Sequence, residues 1–411
     1  MKAVIAGPFG HGTLADEAVL AGLLRHLAAG KHEATVLSAD LDRTQTLHGI
    51  AAVEAGPPES FLSNRELWKA LGKAHLLILA SGGMVSGRGR APARRWLALL
   101  EHAQIAGLKT AVVGIGAETI AEPKERARVQ RLLHHCVDGL STRDFRSKEA
   151  LMSYGLGANR ISANGDPSLA LAGNGAGAAG AAAGTRVGVV LAEGLPSRGE
   201  FGVEPHAPAE EFAAATEVFL KGLLGAPALS ATLFHDDTEP AREFAGKLCA
   251  ALPPERVTTQ AADRPLAEIQ ARMAECGVIA SFSLHGLVLG AGAGVPVIGF
   301  GAEPGAAEFL TALGLGDSVV PASPSAFDSG KAAEAVVKLL SRSTVAREML
   351  KPRMAVLRKR EAQNARMLDL LVPRRVVYAR QKELSDTDPA EEEASSPPRR
   401  RRGPPKRRSS R

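Results

Sequence analysis

The sequence predicts an α/β protein with two Rossmann-like, doubly wound domains, and three observations support this. Apolar runs rich in β-branched residues alternate with helical patterns along most of the chain. Such alternation is typical of a parallel sheet with helices on both faces. The segment GNGAGAAGAAAG at 173–184 divides the pattern into two halves, and it has no side chain larger than that of asparagine. We therefore predict domains at 1–172 and 185–345, joined by a flexible linker.

Each half contains a regular succession of strands and helices. In the first half we predict strands at 2–6, 34–38, 76–80, 110–114 and 139–141, and helices at 15–29, 65–73, 94–106, 125–135 and 147–154. In the second half we predict strands at 186–191, 229–235, 257–259, 278–281 and 295–300, and helices at 209–224, 240–251, 266–274, 284–291, 306–313 and 332–340. Ligands in such sheets bind beyond the carboxyl ends of the strands, so we expect the site there.

One apolar segment is long enough for a membrane-spanning helix, which is an alternative to be considered. Residues 278–302 contain His285 as their only titratable group before Glu303. Frequent glycines and Pro296 interrupt the segment, which favours a buried strand, a helix and a second strand. We therefore predict no transmembrane segment there.

The C-terminal part differs in composition from the rest. We predict a long helix at 346–380 and a disordered acidic, then basic, tail at 381–411, because almost nothing in the tail can offset the ordering entropy. The formal net charge is +6, and the basic residues after Pro397 account for all of it. Such a tail has an anionic partner, nucleic acid or lipid, or it is solvated without a dedicated partner.

Cysteine usage bears on the compartment and on metals. Cys136, Cys249 and Cys276 are odd in number, far apart and outside any C-x-x-C pattern. We predict reduced, buried thiols in a cytoplasmic protein. No cluster has the spacing of metal ligands, so no metal requirement is predicted.

The first candidate site segment is the glycine loop after the first strand. Glycine lets backbone N–H groups approach an anion at a helix N-terminus. The spacing G-x-x-G-x-G differs from that of dinucleotide-binding proteins, and a tight β–α turn is the structural alternative. The candidate substrate-binding residues of this loop are Gly10, Gly12, Thr13, Asp16 and Glu17.

The second candidate segment follows the strand at 76–80. Gly82 and Gly83 begin a loop that carries Arg88 and Arg90, and these cations are suited to a phosphate or carboxylate. A solvated basic loop is the alternative.

Two further segments contain candidate catalytic groups. Arg143 ends a strand, and Asp144 is positioned to hold its guanidinium. The later Asp166-Pro167 is suited to a turn or a helix N-cap. His285 lies at a strand-to-helix junction, where it is a candidate general acid or base or, alternatively, a structural histidine.

The order and spacing of these segments resemble the polysaccharide pyruvyl transferase family over roughly residues 3 to 315. The matching segments are Gly12 to Glu17 (G-N-x-G-D-E in the family), Ser81-Gly82-Gly83, Gly114-Ile115-Gly116, Arg143 to Ser147 (R-D-x-x-S), Asp166-Pro167, Ser281 to His285 (S-x-R-L-H) and Gly294-Val295-Pro296.

The resemblance implies a glycosyltransferase-B-like fold and a role in polysaccharide biosynthesis. It implies transfer of a pyruvyl group from phosphoenolpyruvate to a saccharide or a lipid-linked saccharide, as a ketal. Arg143 would bind the anionic end of the donor, His285 would handle a proton, and Ser283 would contact substrate. Phosphoenolpyruvate is the donor substrate, and no cofactor is implied.

Four positions differ from the family pattern. Ser283 replaces an arginine, Gly305 replaces a lysine, and Thr13 and Ala15 replace an asparagine and a glycine. Each lost charge-assisted contact would remove roughly 1.5–3 kcal/mol of binding. We therefore expect Arg88 and Arg90 to supply part of the missing charge. The alternative is an inactive or donor-switched member that binds a sugar or a nucleotide-sugar.

Overall fold

A computed structural model describes residues 1–56, 63–80, 85, 92–173, 185–191, 209–300, 304–320 and 328–372. The predicted tail at 381–411 lies outside these ranges, as does the predicted linker apart from Gly173. The predicted domain boundaries stay predictions.

The first half of the chain forms a parallel sheet in the described residues. Its strand order is β3-β2-β1-β4-β5-β6-β7, so the direction of winding reverses between β1 and β4. The strands are β1 (Lys2–Phe9), β2 (Glu33–Ser38), β3 (Ala52–Glu54), β4 (Leu76–Leu79), β5 (Lys109–Ile115), β6 (Gly139–Thr142) and β7 (Ser162–Ala163). The helices are α1 (Leu14–Ala29), α2 (Leu41–His48), α3 (Arg65–Leu71), α4 (Pro92–Ile105), α5 (Pro123–His135) and α6 (Phe145–Ser153).

The second half repeats this plan. Its parallel sheet has the order β10-β9-β8-β11-β12-β13, with the reversal between β8 and β11. The strands are β8 (Arg186–Val190), β9 (Ser230–His235), β10 (Val257–Ala261), β11 (Val278–Ser281), β12 (Val297–Phe300) and β13 (Val319–Val320). The helices are α7 (Ala209–Leu224), α8 (Glu239–Ala250), α9 (Leu266–Ala274), α10 (Leu284–Gly292), α11 (Pro304–Ala312) and α12 (Ser329–Leu340).

Two C-terminal helices follow the second half, and the last of them packs against the first sheet. They are α13 (Ser343–Glu361) and α14 (Gln363–Leu370), and α14 contacts β5, β6 and α1. Asn364 is fully buried, and its Oδ1 accepts hydrogen bonds from Ser141 Oγ at 2.7 Å and from Asn164 Nδ2 at 3.0 Å. Its Nδ2 donates to Gly165 O at 3.1 Å. A buried amide with these partners fixes the position of α14 against the first half.

Apolar packing also joins the two halves. One cluster of buried side chains combines Leu14 and Leu169 of the first half with Met273 and Leu287 of the second, and with Leu357 of α13. Full burial of such a side chain contributes about 1.5–3 kcal/mol. Residues 1–371 accordingly form one unit.

The structure confirms the predicted doubly wound α/β fold and corrects some details. The apolar segment at 278–302 contains β11, α10 and β12, all buried, as the strand–helix–strand alternative predicted. Within the described ranges, no helix is both long and apolar enough to cross a bilayer. The sequence analysis missed β3, β7 and β13 because strands of two or three residues are too short to show a period, and it missed α2 because only its Thr44 is buried.

Candidate active site

The turn between β1 and α1 is built around glycines and a cap. Gly10 and Gly12 have φ of +82° and +79°, a region that other residues rarely adopt. Thr13 caps α1, because its Oγ1 accepts a hydrogen bond from Asp16 N at 3.4 Å and donates to Asp16 Oδ2 at 2.7 Å. Gly12 is buried, whereas Thr13 and Asp16 are partly exposed.

Glu17 holds this turn from inside the protein. Its Oε1 accepts a hydrogen bond from Gly10 N at 3.0 Å, and its Oε2 lies 2.7 Å from His48 Nε2. The side chains of Glu17 and His48 are 3% and 5% exposed. Both carboxylate oxygens of Glu17 therefore have partners inside the protein, and the side chain stabilises the glycine loop from its buried side.

A carboxylate from the second half occupies the N-terminus of α1. Asp236, in the turn after β9, accepts a hydrogen bond from Leu14 N at 2.7 Å. Beside it, Asp237 N donates to Gly12 O at 2.7 Å, and Asp237 Oδ2 lies 2.6 Å from an Nη atom of Arg43. The predicted anion-binding end of α1 is thus bound to the protein's own carboxylate.

His285 enters the space between the halves at the reversal point of the second sheet. It follows β11 at the beginning of α10, whose N-cap Ser283 accepts a hydrogen bond from Gly286 N at 3.1 Å. His285 Nε2 lies 3.1 Å from Asp166 Oδ2, and the two side chains are only 5% and 4% exposed. This contact joins the second half to the segment after β7.

Asp166 is held by several groups at once. It begins the 3₁₀ helix Pro167–Leu171, where its Oδ1 accepts hydrogen bonds from Ser168 N at 2.9 Å and Ser168 Oγ at 2.5 Å. Burial by itself raises the pKa of Asp166, but the His285 imidazole and the Ser168 donors outweigh burial and lower this pKa to about 2. Asp166 is therefore an anion at neutral pH, and an anion at this distance stabilises an imidazolium and orients the ring.

Arg143 lies at the carboxyl end of β6, beside Asp144. Its Nε donates to Asp144 Oδ2 at 3.1 Å, and the guanidinium side chain is 13% exposed. The other oxygen, Asp144 Oδ1, accepts from Ser147 N at 2.6 Å and so caps α6. One carboxylate thus fixes both the arginine and the start of the helix.

A narrow pocket brings these groups together. Its polar wall consists of Arg143, Asp144, Asp166, Glu308 and Arg360, and apolar side chains of α10, α11 and α13 complete it. The cavity volume is about 30 Å³, which is room for about two water molecules. Arg143 and His285, predicted to share a cleft, are connected here through Asp166, which lines the pocket and contacts the histidine.

The other predicted site residues fall into two groups. Gly10, Gly12, Thr13, Asp16, Glu17 and Ser283 form the turn and caps described above. Gly82, Gly83, Arg88 and Arg90 lie outside the described residues. In the part of the chain that the structure describes, no group of three potential metal-ligating side chains comes together.

Sequence reasoning did not single out three polar groups of this region. Asp236 and Arg360 are distant in sequence from every glycine loop and motif, and Glu308, three residues after Gly305, belongs to no motif, so no local pattern marks them. Arg360 lies near the end of a helix rich in basic residues, where a solvent-exposed position is the ordinary expectation. For Asp166 the sequence did give an indication, because the Asp166-Pro167 step was predicted as a turn or a helix N-cap. Its contact with His285 was not predicted.

Two solved structures of similar fold contain a nucleotide-sugar. The UDP-GlcNAc 2-epimerase from Neisseria meningitidis bound to UDP-GlcNAc is 13% identical, with a TM-score of 0.58 over 90% of this chain and 100% of its own. Anabaena Alr3699/HepE in complex with UDP-glucose is 15% identical, with a TM-score of 0.56 over 90% and 99%. At such low identity the likeness shows the fold alone, and this fold is glycosyltransferase-B-like.

The sequence itself matches one family model. Residues 16–304, more than half of the chain, match the model of polysaccharide pyruvyl transferases. No curated protein matches the chain by sequence. Arg143 and His285 both lie within this match, on a glycosyltransferase-B-like fold. The chain belongs to the polysaccharide pyruvyl transferase family.

Proposed function

We propose that the protein transfers a pyruvyl group from phosphoenolpyruvate to a saccharide, or to a lipid-linked saccharide, as a ketal. One observation carries this proposal: the buried His285–Asp166 pair adjoins a pocket that also contains Arg143. A histidine held by an anionic carboxylate is a proton donor, and the arginine is a clamp for an anionic donor. Family membership supports the choice of donor.

The reaction requires a proton at the vinyl carbon of the donor. His285, as imidazolium, gives its proton to the CH₂ carbon of phosphoenolpyruvate, and the central carbon becomes electrophilic. One saccharide hydroxyl adds to that carbon, and its proton returns to the imidazole. A second hydroxyl then forms the other C–O bond while the C–O bond to phosphate breaks, and its proton leaves with the phosphate. The products are the pyruvate ketal and inorganic phosphate.

The residues have separate roles in this proposal. His285 moves the proton, Asp166 orients the imidazole and stabilises its charged form, and Arg143 binds the anionic end of the donor. The glycine turn with Thr13, Asp16 and Glu17, together with Ser283, shapes the substrate-facing loops. Gly82, Gly83, Arg88 and Arg90 belong to this proposal as substrate-binding residues. We also propose a cytoplasmic location and an anionic partner for the basic tail.

The test measures donor-dependent ketal formation. The full chain is incubated with phosphoenolpyruvate and a panel of saccharides, and both phosphate release and the ketal methyl signal are recorded. We expect His285→Gln to reduce turnover by about 10²–10⁴-fold. The matched control is His26→Gln, because His26 forms a similar pair with Glu361, at 2.6 Å, with side chains 11% and 2% exposed, and neither residue of that pair lines the pocket, whereas Asp166 does. Turnover that falls equally in both variants would remove His285 from the mechanism.

A second candidate is a family member that binds a nucleotide-sugar without pyruvyl transfer. Ser283 and Gly305 stand where family cations are expected, and two structures of similar fold contain UDP-sugars. Calorimetric titration with phosphoenolpyruvate, UDP-glucose and UDP-GlcNAc separates the candidates. Heat with a UDP-sugar and none with millimolar phosphoenolpyruvate would favour this second function.

A further inference from the structure

One of the two family positions that lack a cation, Gly305, lies at the pocket of Arg143. A Cβ atom built on Gly305 would lie 3.1 Å from an Nη atom of Arg143 and 3.2 Å from Asp144 Oδ2. Any longer side chain at position 305 would crowd the Arg143–Asp144 ion pair. Arg143 can occupy its present position because residue 305 is glycine and not lysine. Ser283 is occupied in capping α10. Neither Gly305 nor Ser283 supplies positive charge. Phosphoenolpyruvate carries close to three negative charges, so other residues must supply the positive charge that binds it.

Arg360 brings a second guanidinium to the same pocket from another element. It projects from the last turn of α13, and its guanidinium carbon lies 5.2 Å from the ring centroid of Phe145, the first residue of α6. Its Nε atom is buried and has no hydrogen-bond partner among the described residues. Burial lowers the pKa of Arg360, while Glu308 and Asp144 oppose this effect. A guanidinium whose buried Nε has an unused hydrogen-bond donor is suited to an anionic ligand.

Glu308 shows how an anion fits at this place. This residue of α11 crosses from the second half to the N-terminus of α6, where its two carboxylate oxygens accept hydrogen bonds from Phe145 N at 2.8 Å and Arg146 N at 3.2 Å. Glu308, Arg360 and Arg143 all line the same pocket, and the Phe145 ring lies against the Arg360 guanidinium. The oxygens of a ligand carboxylate or phosphate can accept the same hydrogen bonds from Phe145 N and Arg146 N.

We propose that Arg360 is a donor-binding residue that takes the role of the cations missing at Gly305 and Ser283, and that the donor displaces Glu308 from the N-terminus of α6. The inference rests on the proposed function, since the donor is phosphoenolpyruvate. Arg143 and Arg360 bind its charged oxygens from two elements, and the amides of Phe145 and Arg146 become available when Glu308 leaves. The side chain of Glu308 holds this site closed until the donor arrives.

The test is calorimetric titration of the full chain with phosphoenolpyruvate. We expect Arg360→Ala to weaken binding about 10- to 100-fold. Arg360→Lys keeps the charge without the planar fork, so its affinity falls between those of wild type and Arg360→Ala. Glu308→Gln removes the competing charge and should tighten binding several-fold. Lys359→Ala is the matched control, because Lys359 is the exposed neighbour on the same helix and carries the same charge; its affinity stays within about twofold of wild type.

The outcomes separate this inference from the proposed function. If wild type binds and turns over phosphoenolpyruvate while Arg360→Ala and Arg360→Lys bind it as wild type does, the role of Arg360 is refuted and the transferase function stands. Equal weakening in Arg360→Ala and Lys359→Ala reduces the effect to general charge and also refutes that role. If wild type shows neither binding nor turnover, both proposals fail. If Arg360→Ala does not fold, Arg360→Lys tests the role of Arg360 in its place, and Glu308→Gln tests the displacement of Glu308. Weaker or unchanged binding of phosphoenolpyruvate by Glu308→Gln contradicts that displacement.

Discussion

The buried pair of Asp166 and His285 should be measurable as stability, and Asp166→Asn is the perturbation that isolates its charge. The amide has nearly the shape of the carboxylate, and its oxygen still accepts the hydrogen bonds from Ser168 N and Oγ. What the substitution removes is the negative charge 3.1 Å from His285 Nε2. Both side chains are almost fully buried, so water cannot replace that charge.

The magnitude follows from the pKa of Asp166. The folded protein holds this pKa at about 2, against an ordinary value of 3.8. The difference corresponds to ~2 kcal/mol of stability at neutral pH. We therefore expect Asp166→Asn to lower the free energy of unfolding by ~2 kcal/mol.

The contribution of Asp166 to the free energy of unfolding depends on pH, and the direction of its lowered pKa fixes the sign. Because the folded pKa is depressed, the contribution of Asp166 is complete above the unfolded pKa and disappears as the pH falls through the folded pKa. The window is therefore from about pH 4 down to about pH 2, and roughly half of the contribution remains at pH 3. Wild type should therefore lose this part of its free energy of unfolding over that window, whereas the variant has no carboxyl group at this position to protonate.

The assay is urea unfolding followed by far-UV circular dichroism at about pH 6 and about pH 3. Asp369→Asn is the control, because Asp369 also pairs with a histidine, His32 at 3.1 Å, but its side chain is 60% exposed. An exposed pair contributes about 0–1 kcal/mol. A loss of free energy of unfolding in Asp166→Asn that is below ~0.5 kcal/mol at about pH 6, or that is no larger than the loss in Asp369→Asn, would refute the reasoning.

Three further predictions concern stability and reactivity. Asn364→Ala leaves buried partners unsatisfied and should lower the free energy of unfolding by ~2–4 kcal/mol in urea titrations; less than ~0.5 kcal/mol contradicts the buried network. Gly10→Ala places a methyl group 2.2 Å from Ser38 Oγ at a φ of +82°, and should cost ~2 kcal/mol or more in the same assay; wild-type stability would show that the turn adapts. Burial raises the pKa of Cys276 to about 12, so the half-buried Cys249 should react first with an aromatic disulfide reagent at neutral pH; mass mapping that finds Cys276 modified first is the contrary result.

Most of the fold was predictable because long elements leave a clear period. The helix at 209–224, the helix at 266–274 and the strand at 278–281 have the predicted bounds. The strand–helix–strand interpretation of 278–302 depended on glycines that interrupt an apolar run, and it was correct. Elements of two or three residues, such as β7 and β13, form only because a neighbouring strand completes their hydrogen bonds, and no local pattern encodes this.

The candidate site was predictable in part. Motif residues at strand ends, Arg143 and His285 among them, follow from the rule that parallel strands present their carboxyl ends at one edge. The role of Asp166 as the partner of His285 was not predictable, because the two residues are 119 positions apart. The expected compensation by Arg88 and Arg90 stays a prediction, since both lie outside the described residues.

The sequence by itself determined the alternation of strands and helices, the two-part plan and the family, since these depend on local period and ordered motifs. Only the tertiary structure decided which groups meet: Asp166 with His285, Glu308 with the N-terminus of α6, and Arg360 with the pocket of Arg143. The physical reason is that the return of α14 onto the first sheet depends on buried contacts such as those of Asn364, which form between segments about 200 residues apart. Long-range burial and charge pairing of this kind leave no periodic trace in the chain.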